Sequence, residues 1–334
     1  MTTTVCPAPY LLRTKPLFQD YLWGGRNLET VLSKEIPAEG VWAESWEMID
    51  HPHHQSEVAN GDWAGKTLRD IGSQSPDWLF GDASQEFSAL PLLLKYLDCQ
   101  RVLSVQVHPD DVYGQQMSPP DLGKTEAWYI ISAEPGAKLY AGLNEGVSSA
   151  DLAAAVEAGV VEDCLHVIEP SAGDCVFIPA GTVHALGAGL LVAEIQQASN
   201  TTFRLFDWNR TGADGKPREL HIDQGLEVVD FDSGPRQLQK PRATDQEGRE
   251  QLVHCEKFVL DRLLASFQGE LGGDGRFHLV TVPKGEAELA WESDTESCRE
   301  KLTAGQSVFV PACMPSLQVS MKSPDSTLLD MYLP

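Results

Sequence analysis

The sequence predicts a mainly β protein that contains two similar β units. Residues Leu103–His108 alternate between apolar and polar side chains, which is the period of a half-buried strand. The run Gly173–His184 places glycines and a proline where a chain of short strands turns sharply. Its Gly, Val, Phe, Pro and Ala positions recur at a constant offset of 132 residues in Gly305–Ser316. Such self-similarity implies two copies of one unit.

The two copies differ at residues that could carry chemistry. Cys313 stands where the first copy has Gly181, and Ser316 stands where the first copy has His184. Imidazole is a common metal ligand and a hydroxyl is a poor substitute for it. We therefore predict that the second unit is structural and that a site, if present, lies in the first.

The chain is acidic, with a formal net charge of −24 over 334 residues. That charge repels nucleic acid and anionic membranes, so both are excluded as partners. No basic and apolar leader opens the sequence, and no run reaches the ~20 apolar residues of a membrane span. The seven cysteines are scattered without a C-x-x-C pair, which is typical of reduced thiols. These features predict a cytoplasmic protein, and no obligate protein partner is evident.

The length suits two domains of ordinary size. We expect an N-terminal domain over residues 1–235 and a C-terminal domain over 236–334, because a polar, proline-containing linker begins near Phe231. Short, mixed apolar periods predict a small helical insertion around residues 63–97. An alanine-rich helix is predicted over Ser148–Ala158, and we expect it to be structural.

Two segments carry polar side chains at the i, i+2 spacing that puts both on one face of a strand. They hold Gln106 and His108 in the first segment, and Lys124 and Glu126 in the next. The loop between the segments can bring the carboxylate next to the amide and the imidazole. Such donors suit a divalent metal ion. Taken alone, however, a histidine at a strand end is more often a surface residue.

The segments Leu190–Gln197 and Thr201–Asp207 are typical of a hairpin around Ala198–Asn200. If those three residues form the loop, Glu194 lies directly opposite Arg204. A carboxylate and a guanidinium facing one another across two strands are either a structural ion pair or two catalytic groups. The sequence leaves both alternatives open.

The pattern Gly-x5-Pro-x-Gly-x2-His in Gly173–His184 resembles the second signature of the cupins, small antiparallel β-barrels that hold a metal ion. The first cupin signature carries His-x-His, and the segment Gln106–His108 stands in its place. The resemblance implies two cupin (jelly-roll) barrels with a small helical insertion. The C-terminal barrel would be degenerate and without metal ligands.

A larger, ordered set of motifs resembles type I mannose-6-phosphate isomerases, especially their short bacterial form. The matching segments are Leu22–Gly25, Ala43–Glu47, Ser104–Asp110, Lys124–Tyr129, Pro179–His184, Glu194–Gln197 and Thr202–Trp208. The resemblance implies a zinc-dependent aldose-ketose isomerase of carbohydrate and mannose metabolism. Its substrate would be a small phosphorylated sugar, converted between mannose 6-phosphate and fructose 6-phosphate through an enediolate.

By motif, the family's zinc ligands fall on Gln106, His108, Glu126 and His184. The resemblance thus implies one Zn²⁺ per chain, held by three neutral ligands and one carboxylate. Such a zinc ion remains strongly electrophilic.

The family's active-site arginine and lysine fall on Arg204 and Lys124. Moving a proton between C1 and C2 needs a base, and Glu194 is the first choice because a partly buried carboxylate is readily tuned upward in pKa. Lys124 is the rival, either as the base or as a group that polarises a sugar oxygen. Arg204 suits the phosphate or the enediolate, since a guanidinium binds either.

Two other functions remain open. Another metal-dependent cupin enzyme, such as an iron-dependent oxygenase, usually uses three histidines and a carboxylate, or a facial triad. A glutamine at position 106 argues against that set. A non-catalytic sugar-binding bicupin would be expected to lack ligands in both units, whereas the first unit keeps them.

Overall fold

Strands dominate the fold, which confirms the mainly β prediction. The structure is a computed structural model and describes residues 6–211, 215–293 and 296–334. The chain up to residue 206 forms β1 Leu17–Gln19, β2 Glu44–Met48, β3 Asp50–His51, β4 His54–Gln55, β5 Leu92–Cys99, β6 Val105–Val107, β7 Glu126–Ala133, β8 Leu139–Leu143, β9 Leu165–Ile168, β10 Cys175–Ile178, β11 His184–Leu186, β12 Leu190–Gln197 and β13 Phe203–Phe206.

From residue 242 onward, all regular elements of the described chain are strands. They are β14 Arg242–Ala243, β15 Arg249–His254, β16 Val259–Leu264, β17 Gln268–Leu271, β18 His278–Lys284, β19 Glu286–Glu292, β20 Ser297–Thr303, β21 Ser307–Val310, β22 Leu317–Met321 and β23 Thr327–Tyr332. The helices all precede them: α1 Asn27–Thr30, α2 Leu68–Gln74, α3 Pro76–Phe80, α4 Asp111–Gln116, α5 Ser149–Ala158 and α6 Ile222–Val228. Across the described ranges, none of these helices is long and apolar enough to cross a membrane.

Four sheets form two barrels. In the first barrel, a six-stranded sheet in the order β1-β2-β5-β12-β7-β10 faces a five-stranded sheet in the order β13-β6-β11-β8-β9. In the second, the order β14-β15-β16-β23-β18-β21 faces β17-β22-β19-β20. Each barrel encloses its own apolar core, as two packed sheets require.

The two six-stranded sheets also pack against one another, back to back. Leu94 and Ile195 on the outer face of the first sheet share a core with Leu260 and Met331 on the outer face of the second. Because both faces of these sheets are covered, their central strands are apolar on both faces. All eight residues of β5 are buried for this reason.

The helical insertion is shorter than expected. Helices α2 and α3 and a 3-10 turn at Gly81–Gln85 lie within residues 68–85. The expectation of helix near Pro91–Leu97 is wrong, because Leu92–Cys99 forms the central strand β5. A short, continuous apolar run is compatible with a buried strand as well as a helix, and here the sheet decides between them.

The beginning of the described chain closes onto the second barrel. Leu12 and Phe309 exchange two backbone hydrogen bonds of 2.9 Å, which adds a bridge beside β21. The neighbouring Leu11 is buried in the core of the second barrel. The first segment therefore contributes to the second barrel before the chain builds the first one.

The two barrels repeat one pattern of strand pairing. Ile178 of β10 lies opposite Glu126 of β7. Val310 of β21, 132 residues further on, lies opposite His278 of β18 in the same antiparallel sense. His278 therefore occupies the position in the second barrel that Glu126 occupies in the first, which extends the sequence repeat to the neighbouring strand.

Candidate active site

The polar end of the first barrel gathers the four predicted ligands. Gln106 on β6 lies directly opposite His184 on β11, and their terminal nitrogens are 3.3 Å apart. Glu126, the first residue of β7, lies between the two histidines: its Oε1 is 3.3 Å from Nε2 of His108 and its Oε2 is 3.7 Å from Nε2 of His184. The histidine and carboxylate donors fall within 4.8 Å of one another. The geometry is that of a site able to hold a metal ion.

Both imidazoles are oriented by the backbone. Nδ1 of His108 donates to the carbonyl of Thr201 at 2.9 Å, and Nδ1 of His184 donates to the carbonyl of Thr182 at 2.8 Å. Each Nε2 therefore points into the cluster with its lone pair available, which is how metal-ligating histidines are normally fixed. Burial, and then the Lys124 ammonium, lower the pKa of His108 to about 3, so this imidazole stays neutral.

The side-chain ammonium of Lys124 lies among these donor atoms. The Lys124 Nζ lies 2.7 Å from Oε1 of Glu126 and 3.1 Å from Nε2 of His108. Burial raises the pKa of Glu126, but the adjacent Lys124 charge outweighs it and holds that pKa well below its usual value. An anionic carboxylate, two neutral imidazoles and an amide make a donor set that fits a divalent metal ion.

A second charged cluster lies on the same inner face of the barrel. Glu194 of β12 contacts Lys95 of β5 at 3.1 Å and accepts a hydrogen bond of 2.9 Å from the Trp128 indole. Lys95 also lies 3.5 Å from Glu44 of β2. Burial, and then the nearby charge of Glu126, raise the pKa of Glu194 to about 7. A carboxylate tuned close to neutral pH can accept and return a proton.

The expected hairpin between Glu194 and Arg204 is wrong. Glu194 pairs with Lys95 and Trp128 in the six-stranded sheet, whereas Arg204 pairs with Gln106 in the other sheet. The chain between them crosses from one sheet to the other, so β12 and β13 are not partners. Both side chains nevertheless line one cavity of about 320 Å³.

Two arginines line that cavity. Arg204 is held by a 3.3 Å bond from Nε to the Ser104 hydroxyl and a 2.8 Å bond from Nη1 to the Glu219 carbonyl. Arg218 donates two hydrogen bonds, of 2.7 and 2.5 Å, to the Asp207 carboxylate. Two fixed guanidiniums at one cavity are well suited to an anionic group on a ligand.

Sequence analysis missed Lys95 and Arg218 among the cavity residues. A signal for Lys95 was present, since a lysine within the apolar run of β5 has to be paired when that strand is buried. Arg218 carried no comparable signal, because its segment between β13 and α6 has no strand period.

Convergent polar donors at a cavity mark a site for a small ligand, and the first barrel of this chain is a β-barrel of that class. Residues 11–135 match the model for the type I phosphomannose isomerase catalytic domain. The mannose-6-phosphate isomerase ManA of Bacillus subtilis is 36% identical over 82% of this chain and 86% of its own length. A mannose-6-phosphate isomerase of Streptococcus mutans is 39% identical over 62% of this chain and 64% of its own.

Solved structures agree with this relationship. The mannose 6-phosphate isomerase of B. subtilis superposes with a TM-score of 0.87 at 30% identity, over 98% of this chain and all of the other. A variant phosphomannose isomerase from Salmonella typhimurium shares the fold, with a TM-score of 0.77 at 18% identity over 97% and 99% of the two chains. The chain belongs to the type I phosphomannose isomerase family, and both of its barrels are cupin barrels.

Proposed function

We propose that this enzyme interconverts mannose 6-phosphate and fructose 6-phosphate with one bound zinc ion. The observation that carries the proposal is the convergence of Gln106, His108, Glu126 and His184, because the first and third of these line a cavity that Arg204 also lines. The names of the relatives support the substrate. When bound, the metal would supply an electrophilic centre that stabilises negative charge on the sugar oxygens.

Glu194 is assigned the proton transfer. Its carboxylate is buried, fixed by Trp128 and Lys95, and has a pKa of about 7, so it can take the C2 proton of the aldose and return it at C1. The buried Lys95 ammonium keeps that carboxylate oriented and limits the rise of its pKa. Lys124 lies beside Glu126 and is assigned to polarise a sugar oxygen.

Arg204 and Arg218 are assigned to the phosphate. Both guanidiniums face the cavity, and their other contacts hold them there: a serine and a carbonyl for Arg204, and the carboxylate of Asp207 for Arg218. A fixed guanidinium loses little side-chain entropy when it binds a phosphate. This assignment explains how an acidic chain collects an anionic substrate.

The test is an assay of fructose 6-phosphate formation from mannose 6-phosphate, before and after metal removal by a chelator. We expect turnover by the protein as purified, loss with the chelator, and recovery with added Zn²⁺. Unphosphorylated mannose serves as the control substrate and should react far more slowly. Failure of the zinc-loaded protein to isomerise mannose 6-phosphate would contradict the proposal, and oxygen uptake would indicate a cupin oxygenase instead.

We also propose a domain boundary near residue 236 and a cytoplasmic location. The first two sheets use strands between residues 17 and 206, and the last two use strands between residues 242 and 332. Limited proteolysis near residue 236 would test the boundary. All seven cysteines are free thiols, which suits a reducing compartment.

A further inference from the structure

The loop that joins His108 to Lys124 holds a second loop in place through one aspartate. Oδ2 of Asp121 accepts hydrogen bonds from the Ser199 hydroxyl at 2.9 Å, the Asn200 amide at 3.2 Å and the Thr201 hydroxyl at 2.7 Å. One carboxylate oxygen therefore binds three consecutive residues, Ser199–Thr201, of the five-residue connection between β12 and β13. The side chain is only 16% exposed, so solvent competes weakly for these bonds.

The other oxygen of Asp121 is also engaged. Oδ1 accepts a hydrogen bond of 2.8 Å from the Leu122 amide and faces Nε2 of the buried His51 at 3.6 Å. The carboxylate is therefore fixed from both sides. The Thr201 amide in turn donates to the Ser199 hydroxyl at 3.2 Å, which ties Thr201 to Asp121 by a second route.

The turn that Asp121 fixes carries the carbonyl that orients His108. That carbonyl belongs to Thr201 and accepts the Nδ1 proton of His108 at 2.9 Å. We propose that Asp121 is a positioning residue for the metal centre: it holds the Thr201 carbonyl where it directs Nε2 of His108 into the donor cluster. Asp121 itself contacts none of the four predicted ligands. Nothing in the sequence motifs singles it out.

The Thr201 carbonyl needs this support from Asp121 because of its place in the backbone. The Thr201 carbonyl follows a crossing between two sheets, outside the hydrogen-bond ladders that hold β12 and β13. A backbone acceptor outside a ladder depends on side chains for its position. Three charge-assisted hydrogen bonds to one carboxylate supply that position.

The inference rests on the proposed metal set, and the test measures metal binding directly. The probe is Co²⁺, titrated into the metal-free full-length protein in competition with a chelating indicator. Asp121→Ala should weaken Co²⁺ binding about tenfold, the lower end of the range for partners behind metal-ligating histidines. Thr201→Ala removes one of the three donors but keeps the carbonyl, and should weaken binding about threefold.

A spectroscopic readout separates positioning from general stability. In ¹⁵N spectra of the imidazoles, the Nδ1 proton of His108 should exchange faster with water in Asp121→Ala, while that of His184 should not change. Asp98→Ala is the matched control. Asp98 also accepts three hydrogen bonds, two from Asn27 and one from Gln100, but its partners touch no predicted ligand. This variant should lose stability and keep the affinity for Co²⁺.

The outcomes are distinct. Wild-type Co²⁺ affinity in folded Asp121→Ala, with an unchanged His108 signal, would overturn the inference and leave Asp121 a structural residue. If Asp121→Ala does not fold, the Thr201→Ala variant provides the test. A wild-type affinity of Thr201→Ala for Co²⁺ would equally contradict the proposal. A wild-type protein that binds no Co²⁺ at all would instead overturn the proposed metal set.

Discussion

Arg204 illustrates how a single side chain is prepared for an anion. Its Nε and Nη1 donate to the Ser104 hydroxyl and to the Glu219 carbonyl, and Arg204 lines the same cavity as Arg218. Burial, and then the Arg218 charge, lower the pKa of Arg204 from its usual value. A guanidinium still remains charged at neutral pH. Two adjacent positive charges of this kind are stabilised when an anion binds between them.

Arg204→Ala should reduce turnover of mannose 6-phosphate by about a hundredfold or more, because it removes a fixed positive group from the cavity. Metal content should stay at the wild-type level, since Arg204 contacts none of the donor atoms. Steady-state rates combined with metal analysis of the same sample measure both. Arg262→Ala, at a half-buried arginine bound to Glu250 and the Gly173 carbonyl, is the control and should retain turnover. Near-normal turnover of Arg204→Ala would remove it from the mechanism.

Glu194→Gln should lower kcat by about a hundredfold to ten-thousandfold while the protein keeps its metal. The amide preserves the volume of the side chain and can still accept the hydrogen bond from Trp128, but it cannot take a proton at neutral pH. The comparison is with Glu162→Gln, at a glutamate that accepts a hydrogen bond from Tyr140 outside the cavity. Equal kcat values for the two variants would assign the proton transfer to another group.

At the scale of elements, the sequence could predict side-chain faces but not strand partners. The i, i+2 spacing correctly placed Gln106 and His108 near Glu126, because alternation is a local property of a strand. The predicted hairpin that put Glu194 opposite Arg204 was wrong, because a five-residue connection can turn back as a hairpin or cross to the opposite sheet. Here the Ala198 amide bonds to the Pro91 carbonyl, a contact formed only in the folded barrel.

The repeated glycines allow a matched test at this scale. Gly173 and Gly305 both have positive φ values, of 93° and 84°, so alanine is strained at either position. A Cβ at Gly305 would also lie 2.1 Å from the Leu32 carbonyl oxygen, whereas at Gly173 the nearest atom is 3.6 Å away. Gly173→Ala should cost about 1 kcal/mol and Gly305→Ala roughly 1–3 kcal/mol more. Chemical denaturation measures both, and equal losses would contradict the argument.

At the scale of the whole molecule, charged side chains of the second barrel occupy the position that corresponds to the candidate active site of the first barrel. His278 and Asp330 are joined at 2.7 Å, and Arg249 binds both Asp330 and Asp261 at 2.7 Å. By strand register, Asp330 corresponds to Glu194. Glu194 lies opposite a residue of β5 in the first barrel, and Asp330 lies opposite a residue of β16 in the second. The sequence repeat showed Ser316 in place of His184 but gave no sign of this network, because its members lie outside the repeated motif.

This network makes stability depend on pH. Burial lowers the pKa of His278, but Asp330 and Asp274 outweigh it and raise the pKa to about 9. Because the folded-state pKa lies above the ordinary value of 6.5, protonated His278 stabilises the fold fully below pH 6.5, and the contribution disappears as pH rises to about 9. The loss should amount to about 3 kcal/mol.

Denaturant unfolding of the wild type at pH 6 and at pH 9.5, compared with His278→Asn, measures this contribution. The variant should be less stable at pH 6 and should have lost most of the pH dependence over this interval. His254→Asn, at an exposed histidine in the same barrel, should keep the wild-type dependence. The same slope in His278→Asn and in the wild type would show that other groups cause the effect.

The bridge between Leu12 and Phe309 has a consequence for the order of assembly on the ribosome. A chain emerges from its N-terminus and tends to fold one domain at a time. The segment around Leu12 is made early, yet the strand beside which it lies is synthesised nearly 300 residues later. The segment around Leu12 therefore remains unpaired while the first barrel folds. It docks against the second barrel only at the final stage of folding.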